Sequence, residues 1–392
     1  MKGNTISENN FEVKRGNLSI RGIEYRSEGT NLPIVIVCHG FLATYRTTKH
    51  YAKQFAKWGY AAYCFDFIGG GIGSKSDGKL DEMSVMTEKE DLNSVINYVC
   101  ELPYTNSEEL ILMGCSQGGF VSAMVASELK EKIKKLILLY PALCIPDDAR
   151  KGKMMVFKFD PMNIPKTISF GPLKLGGLYA KAVVDIDPYE EISGYEGDVL
   201  ILHGLKDKIV DSSYAQRAYK TYGRKCSLSF LPNAGHGFKK RDDKYAFYAI
   251  KQFLEGKKEL LAIDIKLKGI RFLPKDSYRK TAIPFDGKAD GNLFSGIVMS
   301  GAEDVQMWKG LGIAGCKADY ILSGKDYTGT ECTIHVVNTS KDGRNWTPNL
   351  ETNSKALSFL NGQKLDAVFK LRPKGPFIRI FGSSEENSSS KE

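Results

Sequence analysis

The chain has 392 residues, 42% apolar and 26% charged, with a formal net charge of +9. That length exceeds what one small core organises and suits two domains of a globular protein. No apolar run reaches eighteen residues, and the basic excess forms no stripe with interleaved aromatics, so neither a membrane span nor a nucleic-acid partner is expected.

Met1 to Asn10 lack the apolar segment of a signal peptide, which argues for the cytoplasm. Eight cysteines stand at 38, 64, 100, 115, 144, 226, 316 and 332, without a C-x-x-C pair or zinc spacing. They read as small buried hydrophobes in a reducing compartment, and no metal or other cofactor is expected.

Residues 11–26 alternate as an opening hairpin. Ile34 to Cys38 is a continuous apolar run ending in His39-Gly40-Phe41-Leu42. Such a run suits a strand covered on both faces of a parallel sheet. A helical pattern over 47–58 stops at Gly59, and Ala61 to Phe67 is the next strand. The loop Gly69-Gly70-Gly71-Ile72-Gly73-Ser74 lacks a Lys-Ser/Thr pair and dinucleotide spacing, so it reads as a loop rimming a site rather than a phosphate cradle.

A helix over 84–101 precedes Leu110-Ile111-Leu112-Met113-Gly114-Cys115-Ser116-Gln117-Gly118-Gly119-Phe120. This is an apolar strand, one exposed serine and a helix start, in the pattern G-x-S-x-G. At such a turn the serine is strained and its hydroxyl projects, while the glycines let strand and helix pass closely. The helix runs to about Lys130. Strands follow at Lys135 to Tyr140, Val199 to His203 and Ser227 to Leu231, with helices from Ser212 to Tyr222 and Tyr245 to Glu255. Strands alternating with helices predict a doubly wound α/β sheet with ligands at the strands' carboxyl ends.

Residues 141–198 interrupt this rhythm. Pro146, Pro161, Pro165, Pro172 and Pro188 and Met154, Met155, Phe157, Phe159, Met162 and Phe170 fall in a stretch without clear periodicity. A long irregular connection with an adaptable apolar surface predicts a lid or cap.

Attack by a hydroxyl on an ester needs a base, an acid to orient that base, and donors for the oxyanion. Asp207 follows the strand at 199–203, and His236 follows the strand at 227–231. With Ser116 they form the order serine, acid, histidine. His39 and His203 precede glycines at strand ends and read as partners of turn backbones. Nothing recommends His50 or His335. Asp211 suits capping of the following helix, and Asp185 and Asp187 lie in the insertion. The backbone N–H groups of Gln117 and Phe41 are the expected oxyanion donors. No residue is assigned to substrate binding.

At these residues the chain over 11–257 resembles the α/β-hydrolases, and more narrowly the bacterial cinnamoyl (feruloyl) esterases. The resemblance rests on His39-Gly40-Phe41, Cys64-Phe65-Asp66-Phe67, the segment Gly114 to Gly119, Leu175-Gly176-Gly177-Leu178-Tyr179 and Asp185-Ile186-Asp187-Pro188-Tyr189. It implies hydrolysis of carboxylic esters, hydroxycinnamoyl esters among them, through an acyl-serine intermediate, with the insertion as cap. Two positions depart from the pattern. Asp66 to Gly71 stands where many such esterases have an arginine-glycine loop, and Cys115 replaces a histidine or glutamate before the serine.

Beyond Gly256-Lys257-Lys258 the grammar changes to period two at 262–268, 318–322, 333–337 and 377–381, with Gly and Asn clusters between. This predicts an all-β barrel or sandwich over 260–382. Phe294 to Asp304 resembles a bacterial β-barrel family of unknown function. Trp308 and Trp346 are expected in its core rather than on a ligand face, and 383–392 is expected to be a disordered tail. The expected whole is an α/β domain at 1–257 with a cap at about 141–198, plus the β domain, which could support a homodimer. Its expected activity is that of a serine carboxylesterase on small acyl or aryl esters. A serine peptidase or thioesterase, or a hydrolase-fold binding protein, are the alternatives.

Overall fold

The computed structural model describes residues 5–274, 278–291 and 293–383. It divides into two compact units, Met1–Ile250 and Lys251–Glu392.

The first unit begins with an antiparallel hairpin, β1 (Ser7–Arg15) and β2 (Leu18–Arg26). β3 (Leu32–Cys38) follows, then α1 (Lys49–Lys57), β4 (Ala61–Asp66), α2 (Val85–Cys100) and β5 (Thr105–Cys115). Next come α3 (Gln117–Leu129) and β6 (Lys135–Leu139). The insertion holds α4 (Ile145–Arg150), β7 (Lys153–Met154), β8 (Phe157–Lys158), β9 (Thr167–Phe170), β10 (Leu173–Gly176), α5 (Gly177–Lys181) and α6 (Pro188–Ile192). β11 (Asp198–Gly204), α7 (Ser212–Tyr222), β12 (Cys226–Leu231) and α8 (Lys240–Leu254) complete the pattern.

The eight-stranded sheet has the order β1-β2-β4-β3-β5-β6-β11-β12. Its six strands from β4 to β12 are parallel, and β2 pairs antiparallel with β4. The central strands are buried along nearly their whole length because helices cover both faces. α1 buries Tyr51, Ala52, Phe55 and Ala56 on one stripe, as a surface helix does. α2 starts where the Ser84 hydroxyl accepts from Thr87 N–H. α3 is buried around its entire circumference from Gln117 to Ala126, which explains its lack of a polar face.

Chain order reverses between β3 and β5. From β3 the chain moves to β4 on one side, then returns to place β5 on the other. The loops leaving β3 and β5 therefore diverge above neighbouring strand ends, which is where open α/β sheets hold ligands.

Two details differ from the sequence-based expectation. The insertion is not irregular: it contains two small hairpins, β7–β8 and β9–β10, and three short helices. Its elements are two to six residues long, too short for a period to register. α8 begins at Lys240 rather than Tyr245, because its first turn is polar and is held by Asp242 accepting from Lys239 N–H at 3.1 Å. Among the described residues no helix is long and apolar enough to cross a membrane.

The second unit is strand-rich. It runs β13 (Lys258–Leu267), β14 (Arg271–Phe272), β15 (Arg279–Asp290), β16 (Phe294–Val298), β17 (Glu303–Lys309), β18 (Gly312–Asp326), β19 (Glu331–Ser340), β20 (Trp346–Thr352), β21 (Asp366–Lys370) and β22 (Phe377–Gly382). β15 and β18 each pair with both β16 and β17, so these four strands close into a barrel. The core of the unit includes Ile263, Phe285, Phe294, Leu322, Ile334 and Leu350. Trp346 packs against that core and Phe369, with ring centroids 4.9 Å apart, and Trp308 donates its indole N–H to Thr281 Oγ1 at 2.9 Å. The expected tail lies outside the described residues apart from Ser383.

Candidate active site

β5 hands over to α3 at a single residue, Ser116, with φ 55° and ψ −121°. A non-glycine residue there is strained by about 1–3 kcal/mol and must be held by its surroundings. Ser116 N–H donates to Leu139 O at 3.0 Å, and its carbonyl accepts from Gly119 and Ala142 at 2.9 Å each. The turn is tight because α3 enters close to the β3 loop: a Cβ on Gly118 would stand 2.3 Å from His39 O. The serine hydroxyl is left projecting from the sheet's carboxyl edge.

The loops after β11 and β12 meet it there. His236 Nε2 lies 2.9 Å from Ser116 Oγ, and His236 Nδ1 lies 2.8 Å from Asp207 Oδ2. A carboxylate can only accept, so Nδ1 carries the proton and Nε2 accepts from the serine hydroxyl. Asp207 Oδ1 accepts from Ile209 and Val210 N–H at 2.9 Å each. Burial pushes the Asp207 carboxyl up, but donation from His203, His236 and Val210 outweighs it and holds the group well below its ordinary value. The Tyr140 ring stands edge-on to His236, 5.0 Å between centroids, and limits where the imidazole can swing.

The remaining candidates are placed elsewhere. His39 receives Phe67 N–H on Nε2 at 3.2 Å and turns Nδ1 to Gly40 O at 2.8 Å, which makes it a neutral partner of turn backbone; burial lowers its pKa. Asp211 caps α7 through Ser213 N–H, and Asp187 caps α6 through Tyr189 N–H. His50 faces Asp243 at 3.4 Å, and His335 in the second unit faces Asp319 at 2.7 Å. Among the described residues no group of three or more His, Cys, Asp or Glu is arranged to hold a metal ion.

Gln117 is the first residue of α3, and Phe41 follows His39-Gly40 beyond β3. Among the described residues neither backbone N–H donates a hydrogen bond. Both are thus free to donate to a negative oxygen near Ser116.

Sequence reasoning missed what lies behind Gln117. Its side-chain Oε1 accepts from the Tyr179 hydroxyl, tying the Ser116 turn to α5 of the insertion. Beside it, Glu88 is fully buried with no partner in hydrogen-bonding geometry. Burial pushes its pKa well up, and the Gln117 amide offsets only part of this. Asp66 was also missed: its carboxylate accepts from Tyr45 N–H and Lys75 N–H, both at 2.7 Å, and so anchors the loops on either side of β4.

A pocket of about 30 Å³ opens beside Ser116 and Gln117. Phe41, Ile145, Met154, Tyr179 and Val210 line it, and Asp148 brings a carboxyl whose pKa burial raises. Most of this wall comes from the insertion. The glycine-rich loop lines a separate cavity of about 310 Å³ together with Leu173 and Lys174. Its link to the site is a bridge between Gly71 and Leu42, the residue after Phe41.

Residues 30–169 match a family model described as serine aminopeptidase, S33. Over 107 residues, 27% of this chain, the sequence is 30% identical to a putative esterase/lipase 2 of Mycoplasma pneumoniae, covering 37% of that protein. Over 88 residues it is 32% identical to an uncharacterised 31.7 kDa protein of Escherichia coli, covering 30% of it. The match thus spans about a third of each relative's length. Among solved structures, Est1E of Butyrivibrio proteoclasticus with ferulic acid bound superposes with a TM-score of 0.57 at 26% identity, covering 62% of this chain and 98% of that one. A second structure of Est1E gives 0.56 at 24% identity, covering 63% and 97%.

Proposed function

We propose, from an N-terminal unit that is an α/β-hydrolase in fold and similar to a ferulic-acid-binding esterase structure, that this chain is a serine carboxylesterase. The observation that carries the reading is the unbroken hydrogen-bonded line Asp207–His236–Ser116 at the strained turn.

In this reading the Ser116 hydroxyl gives its proton to His236 Nε2 as Oγ bonds to the ester carbonyl carbon. The carbonyl oxygen becomes negative and is received by the Phe41 and Gln117 amides. Asp207 stays ionised and stabilises the imidazolium without taking its proton. The tetrahedral centre collapses, the C–O bond to the alcohol breaks, and His236 protonates the departing alkoxide. Water then repeats the sequence against the acyl-serine, with His236 as base, and frees the acid.

The pocket supports a small acyl group. Its volume of about 30 Å³ is room for about two water molecules. A hydroxycinnamoyl group needs Met154 and Met155 to swing aside, which flexible methionines can do. Phe41 and Tyr179 would then flank the ring, and Asp148 would face a polar substituent.

The family-model match favours one second reading, amide cleavage, since the same triad serves both reactions. Wild type and Ser116→Ala are assayed on aryl esters, acyl thioesters and aminoacyl amides. Loss of aryl-ester turnover in a folded Ser116→Ala protein is expected. Retained activity sinks the nucleophile, and faster amide than ester turnover by wild type sinks the ester assignment.

A further inference from the structure

Asp207 is flanked by a second imidazole. His203, next to last in β11, is fully buried. Its Nε2 lies 3.0 Å from Val210 O and 3.4 Å from Asp207 Oδ2. A carbonyl oxygen only accepts, so the proton sits on Nε2. Nδ1 is then bare, and it has no partner; a proton there would be a buried donor with nothing to receive it.

We propose that His203 is a positioning residue: its Nε2–H, shared between Val210 O and Asp207 Oδ2, holds the carboxylate in the plane in which Oδ2 receives His236. The shorter arm goes to the carbonyl and fixes the ring, and the longer arm touches the carboxylate.

The two arms close a ring of contacts around one turn. Val210 N–H donates to Asp207 Oδ1, Val210 O accepts from His203, and His203 leans on Asp207 Oδ2. Oδ1 is held by two amides from its own loop, whereas Oδ2 faces two imidazoles. Rotation of a carboxylate about its last bond is soft. Without His203, Oδ2 itself contacts the base alone, and the amides on Oδ1 restrain it only through the plane of the carboxylate. His203 restrains it with a neutral N–H, so Asp207 keeps its full charge for the imidazolium formed during turnover.

This inference rests on the serine-esterase reading, and the test separates the two. Ser116→Ala, His203→Phe, His203→Asn and His203→Gln are compared with wild type on a chromogenic aryl ester. Thermal unfolding and the downfield proton resonance of the His236–Asp207 hydrogen bond are recorded for each. Glutamine can place an amide N–H where Nε2 sits; asparagine is too short, and phenylalanine has no donor.

His203→Phe is expected to lose kcat on the order of 10²-fold, with KM within about twofold and the downfield resonance broadened or lost. His203→Gln is expected to recover most of the rate and the resonance. If the phenylalanine variant does not fold, His203→Asn replaces it with the same expectation. A folded loss-of-contact variant with wild-type kcat and resonance overturns the proposal, as does a glutamine variant no better than asparagine. An active Ser116→Ala protein would instead overturn the reading beneath it.

Discussion

A Cβ built on Gly40 would stand 2.9 Å from the Cβ of Ser116, closer than two such carbons pack. The loop that carries Phe41 is therefore pressed against the proposed nucleophile, and glycine is what allows it. Gly40→Ala must displace one or the other by several tenths of an ångström. In the proposed mechanism this separates the oxyanion donor from the carbonyl it serves. We expect kcat to fall at least about tenfold with a smaller change in KM, and steady-state kinetics on an aryl ester check it.

Asp207→Asn keeps the shape of the side chain but offers a donor or a neutral oxygen to His236 Nδ1. The wrong imidazole tautomer is then favoured, and kcat should fall by about 10⁴-fold. The Asp207 pKa is lowered in the folded chain. Its stabilising contribution is therefore present above the ordinary carboxylate pKa of about 4 and lost as pH falls through the lower folded value. Urea unfolding from about pH 7 to pH 3 should show wild type losing its advantage over the variant only on the acid side.

Glu88 predicts the opposite slope. Its folded pKa is raised by burial, so the stability tied to its protonated form is complete below the unfolded value of about 4.3 and is lost as pH rises through the folded one. Glu88→Gln removes that dependence. The variant should match wild type near about pH 4 and melt several degrees higher near about pH 8. Equal melting temperatures across that range would show that the buried carboxyl carries no ionisation cost.

Met154 stands in the wall of the pocket beside Ser116 and is almost fully buried. Met154→Ala should widen the acyl side without touching Ser116, His236 or Asp207. We expect kcat/KM for hydroxycinnamoyl esters to rise relative to acetyl esters by about tenfold or more, at some cost in melting temperature from the lost packing. An unchanged ratio would place the acyl group elsewhere.

Local physics made much of this chain legible in advance. Apolar runs marked the parallel strands, period-two segments marked the β unit, and Gly114, Ser116 and Gly118 marked the turn between β5 and α3. Such features depend on residues within a few positions of one another, so their spacing survives in one dimension. Asp207 and His236 could be named because an α/β sheet places the ends of its parallel strands on one edge.

Distances across the fold belonged to tertiary structure alone. Ser116 and His236 meet across a sequence separation of 120 because β5, β6, β11 and β12 lie side by side. The tie between Tyr179 and Gln117 and the buried carboxyl of Glu88 arise where separate loops or layers close on one another. No periodicity encodes such meetings: they are set by strand order, by how closely glycines let backbones approach, and by which polar atoms packing leaves within reach.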